Sequence, residues 1–285
     1  MDTYGAEAAR VHAVPGVPAF DMVLPLRAGD YPGGNVQDEI KRHGVWAPAE
    51  SRLLVRVLAR APPGSLLVDV GANTGYFSLL ALALGHRALA VEPNPDHAPY
   101  LAALLARNGW QARCRWVEAF VSDRPGTAAF DGWSGYDGIC RGELARPVPA
   151  AAQRDLATSA ALLKVDVEGA EPGVFASLRP HLAAGAFPFV MFEVTYMTRH
   201  RLDAAQVRML EELQADGFDL YVIHGEGLLA RVRDVHAQAA RWWEDYAGGP
   251  HAATVHATGC NMLAVHRTAP TDGVFAARRG DDLLV

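Results

Sequence analysis

Lysine is almost missing from this chain. Of 285 residues only Lys41 and Lys164 carry an ammonium, and acidic side chains outnumber basic ones 32 to 26, for a formal charge of −6. No run of basic residues exceeds two. A phosphate backbone needs a clustered basic footprint, so neither nucleic acid nor an anionic membrane is expected as a partner. Cysteine is scarce too. Cys114, Cys140 and Cys260 are odd in number and lack C-x-x-C spacing, which argues against a disulfide framework and a structural zinc site. The longest apolar stretch, around residues 77–84, is far short of the roughly 20 residues that span a bilayer. Asp2 and Glu7 stand where a signal peptide would be apolar, so a soluble, cytoplasmic protein is expected.

What is present is the composition of an ordinary globular protein, 50% hydrophobic and 20% charged. Residues 1–35, rich in Pro and Gly, read as an irregular arm with one short strand near 20–26. Residues 36–60 read as helix interrupted at Gly44 and Pro48. From residue 65 short apolar runs alternate with helical patterns. Strands are expected at 66–70, 88–91, 113–121, 127–130, 161–167, 188–195, 219–223 and 261–266, and helices at 75–84, 96–107, 171–184 and 204–215. Continuous apolar strands separated by helices predict a mostly parallel sheet covered on both faces. The expected organisation is an N-terminal arm and helical lid over 1–60, one α/β domain over 61–267, and a loose tail over 268–285. Within the domain, 131–160 and 225–260 read as insertions on the acceptor side.

The sharpest local signal is Asp69-Val70-Gly71-Ala72-Asn73-Thr74-Gly75 at a strand-to-helix turn, with Glu92 closing the next strand. Glycines there admit positive φ and close approach of a ligand. An acidic residue about 20 positions on is placed to accept ribose hydroxyls. The dinucleotide fingerprint G-x-G-x-x-G has Asn73 and Tyr76 at its second and third glycines, so a pyrophosphate fits poorly. A phosphate-free cofactor with an amino-acid moiety fits better. Asp69 is then placed for its ammonium, and the amides at the helix start for its carboxylate. The alternative is that Asp69 and Asn73 cap the helix and Glu92 is a solvated strand end.

The blocks LLVDVGANTGYFS, AVEPNP, VSDRPGTAAF and LLKVDVEGAE resemble the FkbM-type family of methyltransferases. The stretch 36–54 and the closing Asn261-Met262-Leu263-Ala264-Val265 resemble it as well, so the likeness spans roughly residues 36–267. It implies a Rossmann-like class I methyltransferase fold with a mostly parallel seven-stranded sheet and helices on both faces. It also implies S-adenosyl-L-methionine as cofactor and an acceptor oxygen, in some members a nitrogen, on a small molecule or sugar. Carried over, Asp69, Gly71, Asn73 and Gly75 surround the methionine end, Glu92 with Pro93 the ribose, and Glu118 or Asp123 the adenine. Glu118 stands where the family more usually has Asn.

Lys164, Asp166 and Glu168 alternate along the strand at 161–167, so their side chains are expected on one face. Glu193 lies in an apolar strand that the family's sheet order places next to it. Asp166, Glu193 and Lys164 therefore form a candidate catalytic cluster at the carboxyl ends of the central strands, with Asp166 as base or acceptor-orienting residue. The structural alternative is an internal ion pair, with Glu168 and Glu171 serving the next helix's N-terminus. A metal at Asp166 and Glu193 lacks a third acidic ligand and is not expected. His43 is a rival base, as are His200 and His224. Trp133, Tyr136, Trp242, Trp243 and Tyr246 are candidates to line a pocket for a hydroxylated natural product or sugar. The competing functions are N-methylation of a peptide or amide, nicotinamide-dependent oxidoreduction, and a non-catalytic scaffold.

Overall fold

A computed structural model describes residues 6–25, 36–94, 97–121, 160–195, 204–225, 227–246, 259–280 and 282–284. The chain opens with an antiparallel hairpin, β1 (Ala6–Val11) and β2 (Phe20–Pro25), followed by α1 (Val36–His43) and α2 (Pro48–Leu58). Over residues 6–25 the arm expected to be irregular is a two-stranded ribbon. Its apolar residues Ala9, Val11, Val14, Phe20 and Met22 are buried in the main core, and Phe20 meets the Trp110 ring edge-on at 5.7 Å.

The central strands are β3 (Leu66–Val70), β4 (Arg87–Glu92), β5 (Cys114–Glu118), β6 (Ala160–Val165), β7 (Phe189–Thr195), β8 (Phe218–Ile223) and, after a further hairpin strand β9 (Leu228–Val232), β10 (Gly259–His266). From one side the order is β8-β10-β7-β6-β3-β4-β5, parallel except that β10 runs antiparallel to both neighbours. This is the expected seven-stranded, mostly parallel Rossmann-like sheet. β3 is buried along its whole length, because both faces are covered. On one face lie α2, α3 (Tyr76–Ala83) and α4 (Ala98–Asn108), packing on Leu67, Ala88, Ala90, Leu162 and Met191. On the other lie α5 (Glu171–Ala183), α6 (Ala204–Ala215) and the start of α7 (Val235–Tyr246), packing on Val68, Val70, Leu163, Val165 and Phe192.

The C-terminal tail is not loose. It adds β11 (Ala277–Arg279) and β12 (Asp282–Leu284) beyond β9, extending the sheet to ten strands. Val274 and Leu283 are buried in the main core, while Nε of Arg56 donates to the Val274 carbonyl at 2.7 Å and Nε of Arg60 to that of Gly273 at 3.2 Å. The stretch 225–260, read as an insertion, supplies β9 and α7. The strand expected at 127–130 and, up to residue 159, the insertion expected at 131–160 lie outside the described residues. No helix among those described is long and apolar enough to cross a membrane.

Candidate active site

After β3 the chain runs outward through β4 and β5, then returns to place β6 on the other side of β3. Ligands of open α/β sheets bind at such a reversal, beyond the carboxyl ends of the strands. Two loops meet there, 71–75 after β3 and 166–170 after β6. They touch at Gly71, whose φ is +76° and where a Cβ would run into the backbone carbonyl of Asp166.

The first loop is tied down by Glu92, as its position at the end of β4 allows. One oxygen accepts from the Asn73 amide at 2.9 Å and the other from the Asn94 amide at 3.0 Å. Asn73 takes φ +50° in the turn that presents its amide. Burial pushes the Glu92 carboxyl above its ordinary range, and the two amides partly offset this. The amides of Gly71 and Ala72, at 2.9 and 3.1 Å from the Val91 carbonyl, close the turn on β4. Pro93 is half-buried beside Glu92, and Glu118 stands exposed at the same level on β5, paired in register with Glu92.

Asp69 is placed differently from the expectation. It is wholly buried beneath the turn. Its Oδ2 accepts from the amide and hydroxyl of Ser78 at 3.1 and 2.8 Å, and its Oδ1 faces Lys164 at 3.5 Å. The carboxylate therefore supports α3 and the turn from below, held between Ser78 and the Lys164 ammonium. Gly75, with φ +86°, opens α3 as its N-cap.

The ammonium of Lys164 is buried under the second loop. It donates to the Gly71 carbonyl at 3.1 Å, lies 3.2 Å from Oδ2 of Asp166, and sits 5.2 Å from the centre of the Phe77 ring. Burial alone would favour the neutral amine, but Asp166 and Asp69 more than offset it and leave Lys164 above the usual lysine range.

Strand β6 ends at Val165, so Asp166 and Glu168 do not share a face by strand alternation. Glu168 reaches Asp166 because it adopts φ +55°, and Glu193 arrives from β7, which pairs with β6 as expected. One carboxylate oxygen from each of Asp166, Glu168 and Glu193 lies within 4.8 Å of the other two. The third acidic group judged missing from the sequence is therefore Glu168. Three carboxyls this close cannot all ionise without a compensating proton or cation. Burial first, then Asp166 and Glu171, push Glu168 up to about 8. Burial, Asp166 and Glu168 hold Glu193 well above its usual value. Glu171, buried at the start of α5, accepts from the amides of Val167 and Gly169 at 3.3 and 3.1 Å and is pushed up to about 7 by burial.

His43 is not part of this group. It is exposed on the last turn of α1, 3.8 Å from Glu39. His224 is half-buried in the turn between β8 and β9. Asp123, Trp133, Tyr136 and His200 lie outside the described residues, as do the side chains of Trp242, Trp243 and Tyr246. Two residues went unnoticed in the sequence as site candidates. Glu50, in the first turn of α2, accepts a hydrogen bond at 2.8 Å from the amide of Asn261 on β10. The signal for Asn261 was an amide in an otherwise apolar strand. Glu50 gave none, since an acid in a first helical turn is ordinary.

No protein-family model matches the chain, and no curated protein matches it. Among solved structures, a SAM-dependent methyltransferase from Agrobacterium tumefaciens is similar at 13% identity and a TM-score of 0.45, covering 93% of this chain and 71% of that one. A SAM-dependent O-methyltransferase from Thermotoga maritima is similar at 15% identity and a TM-score of 0.42, covering 92% and 76%. The [4+2]-cyclase SpnF is similar at 15% identity and a TM-score of 0.42, covering 84% and 86%.

Proposed function

We propose that this protein is an S-adenosyl-L-methionine-dependent methyltransferase of the FkbM type. Its acceptor on this reading is a hydroxyl of a small natural product or sugar, and it works in the cytoplasm. The observation that carries the reading is the turn 71–75, laced by Glu92 and facing the Asp166 loop at the reversal of the sheet. The donor set fits the cofactor. Each Glu92 oxygen accepts one backbone amide, and a carboxylate has about four acceptor sites, which leaves room for ribose hydroxyls. The third glycine of a dinucleotide fingerprint is replaced by Tyr76, whose ring is buried and whose hydroxyl bonds Ser51 at 3.0 Å. That speaks against a pyrophosphate.

The cofactor supplies an electrophilic methyl group. The chain must bind it, align the acceptor and take up the acceptor's proton. Asp166, half-buried and oriented by Lys164 from 3.2 Å, is the group for that last task. The surrounding carboxylates also suit an amine, which makes transfer to nitrogen the second reading.

Calorimetry with S-adenosylhomocysteine and NAD tests the cofactor, and a mass gain of one methyl group on candidate acceptors tests the reaction. Binding of NAD in preference to S-adenosylhomocysteine would overturn the proposal.

A further inference from the structure

Beside the carboxyl cluster lies a pair of residues outside the turn proposed for the cofactor. Pro48 starts α2, and Glu50, two residues on, accepts from Asn261 Nδ2 at 2.8 Å. An acid favourable at a helix N-terminus needs no burial, yet burial raises the Glu50 carboxyl above its ordinary range, and Asp166 is near enough to raise it further. Asn261 stands directly opposite Glu193 in the β10–β7 register, so both side chains emerge on one face of the sheet. Glu50, Asn261, Glu193 and Asp166 are all half-buried, each neither sealed in the core nor fully solvated. They converge from α2, β10, β7 and the loop after β6.

We infer that Glu50 and Asn261 hold the acceptor and select a group that presents hydrogen-bond donors without negative charge, a hydroxyl or amine as against a carboxylate or phosphate. The selection follows from what is available. Asn261 and the Glu50 backbone amide each take one acceptor position of the Glu50 carboxylate, which has about four, so acceptor capacity remains for a donor. Asp166, Glu168 and Glu193 add acceptors alongside. The cation beside them, Lys164, is already bound to Asp69, Asp166 and the Gly71 carbonyl. The raised Glu168 and Glu193 carboxyls are not all ionised, so an anion entering here is disfavoured by the carboxylate charge that remains and by the lack of an uncommitted cation in this group, neither of which opposes a neutral donor. The inference rests on the methyltransferase reading for there being an acceptor, but the charge preference can be measured separately.

The test uses saturation-transfer NMR on the protein loaded with S-adenosylhomocysteine, with methyl glucoside and glucuronate as neutral and anionic probes. Methyl glucoside is expected to bind at least about tenfold more tightly than glucuronate. Glu50→Gln keeps an oxygen for Asn261 but replaces the second acceptor by NH2. It should weaken methyl glucoside at least about fivefold and shrink the discrimination, with cofactor-product affinity and melting temperature unchanged. Asn261→Ala should weaken methyl glucoside as well. A purely structural Glu50 would be satisfied by glutamine, so unaltered discrimination in Glu50→Gln overturns the inference. Equal or tighter binding of glucuronate by the parent, or failure of both probes to bind, overturns it too. If S-adenosylhomocysteine itself fails to bind the parent, the methyltransferase reading falls alone, and the same two probes on the free protein then decide the charge preference.

Discussion

The ammonium of Lys164 donates a hydrogen bond to the backbone carbonyl of Gly71 at 3.1 Å, tying the end of β6 to the turn after β3 where the strand order reverses. The same ammonium is 3.5 Å from Asp69, which is wholly buried. Removing the cation strands that charge in the core. Lys164→Met is expected to destabilise the protein by roughly 3–5 kcal/mol, the usual penalty for breaking a buried pair from one side. Urea unfolding measures it. A loss under about 1 kcal/mol would mean that the pair is not the strut described here.

Asp166 shares that ammonium but is half-buried, and it is the base proposed above. Asp166→Asn should lower the turnover rate at least about tenfold while the dissociation constant for S-adenosylhomocysteine stays within about twofold. Small, equal effects on both quantities would make it a structural residue.

Glu92 holds two amides, those of Asn73 and Asn94. Glu92→Ala frees both and removes the acceptor proposed for the ribose, and should weaken cofactor binding by about 1.5–3 kcal/mol. Calorimetry gives the answer directly. An unchanged dissociation constant would take Glu92 out of the cofactor site.

The parts of this molecule legible in the sequence are those whose causes are local. Leu66–Val70 is a continuous apolar run closed by a glycine turn, so both the strand and the Glu92-bound loop can be read from neighbouring residues. Lys164 and Asp166 are charges beside an apolar run and mark themselves. Glu168 reaches the carboxylate group through a backbone conformation, φ +55°, that its residue type does not advertise. Glu50 and Asn261 are 211 residues apart. The turn that leads into the C-terminal strands is held partly by Arg56 of α2 and by Arg60 just beyond it, 218 and 213 residues earlier. Such long-range pairings leave no periodicity to find.

Gly44, where the helical pattern of residues 36–60 breaks, is fastened. Its amide donates to the Ile40 carbonyl at 2.8 Å, and its own carbonyl accepts from the amides of His12 and Ala13 at 3.0 and 3.1 Å. Its φ is +71°, and a Cβ would collide with the His12 imidazole. Gly44→Ala should therefore cost roughly 1–3 kcal/mol of stability, read by thermal unfolding. A neutral effect would mean that the hairpin yields easily and that Gly44 does not fasten it.

The carboxyls around Asp166 make stability depend on pH in an unusual direction. Glu168 is pushed from an ordinary glutamate value of 4.5 up to about 8, by burial first and then by Asp166 and Glu171. Glu171 rises to about 7. Between 4.5 and these values the folded protein keeps protons that the unfolded chain has released. The folded state then binds more protons, so stability falls as pH rises. The decline attributable to Glu168 ends above about 8, where both states are ionised. Asp21 works the other way. Its hydrogen bond with Arg107 holds it below the usual aspartate value of 3.8, so its contribution is lost only as the medium becomes strongly acidic. Glu168→Gln removes one of these raised carboxyls without adding charge. Urea unfolding of parent and variant from about pH 5 to about pH 9 should show the variant gaining relative stability as pH rises, with the gain levelling above about 8. A difference that is flat across this range, or that grows toward acid, would show that Glu168 ionises normally in the folded protein. The three carboxyls would then not share a proton.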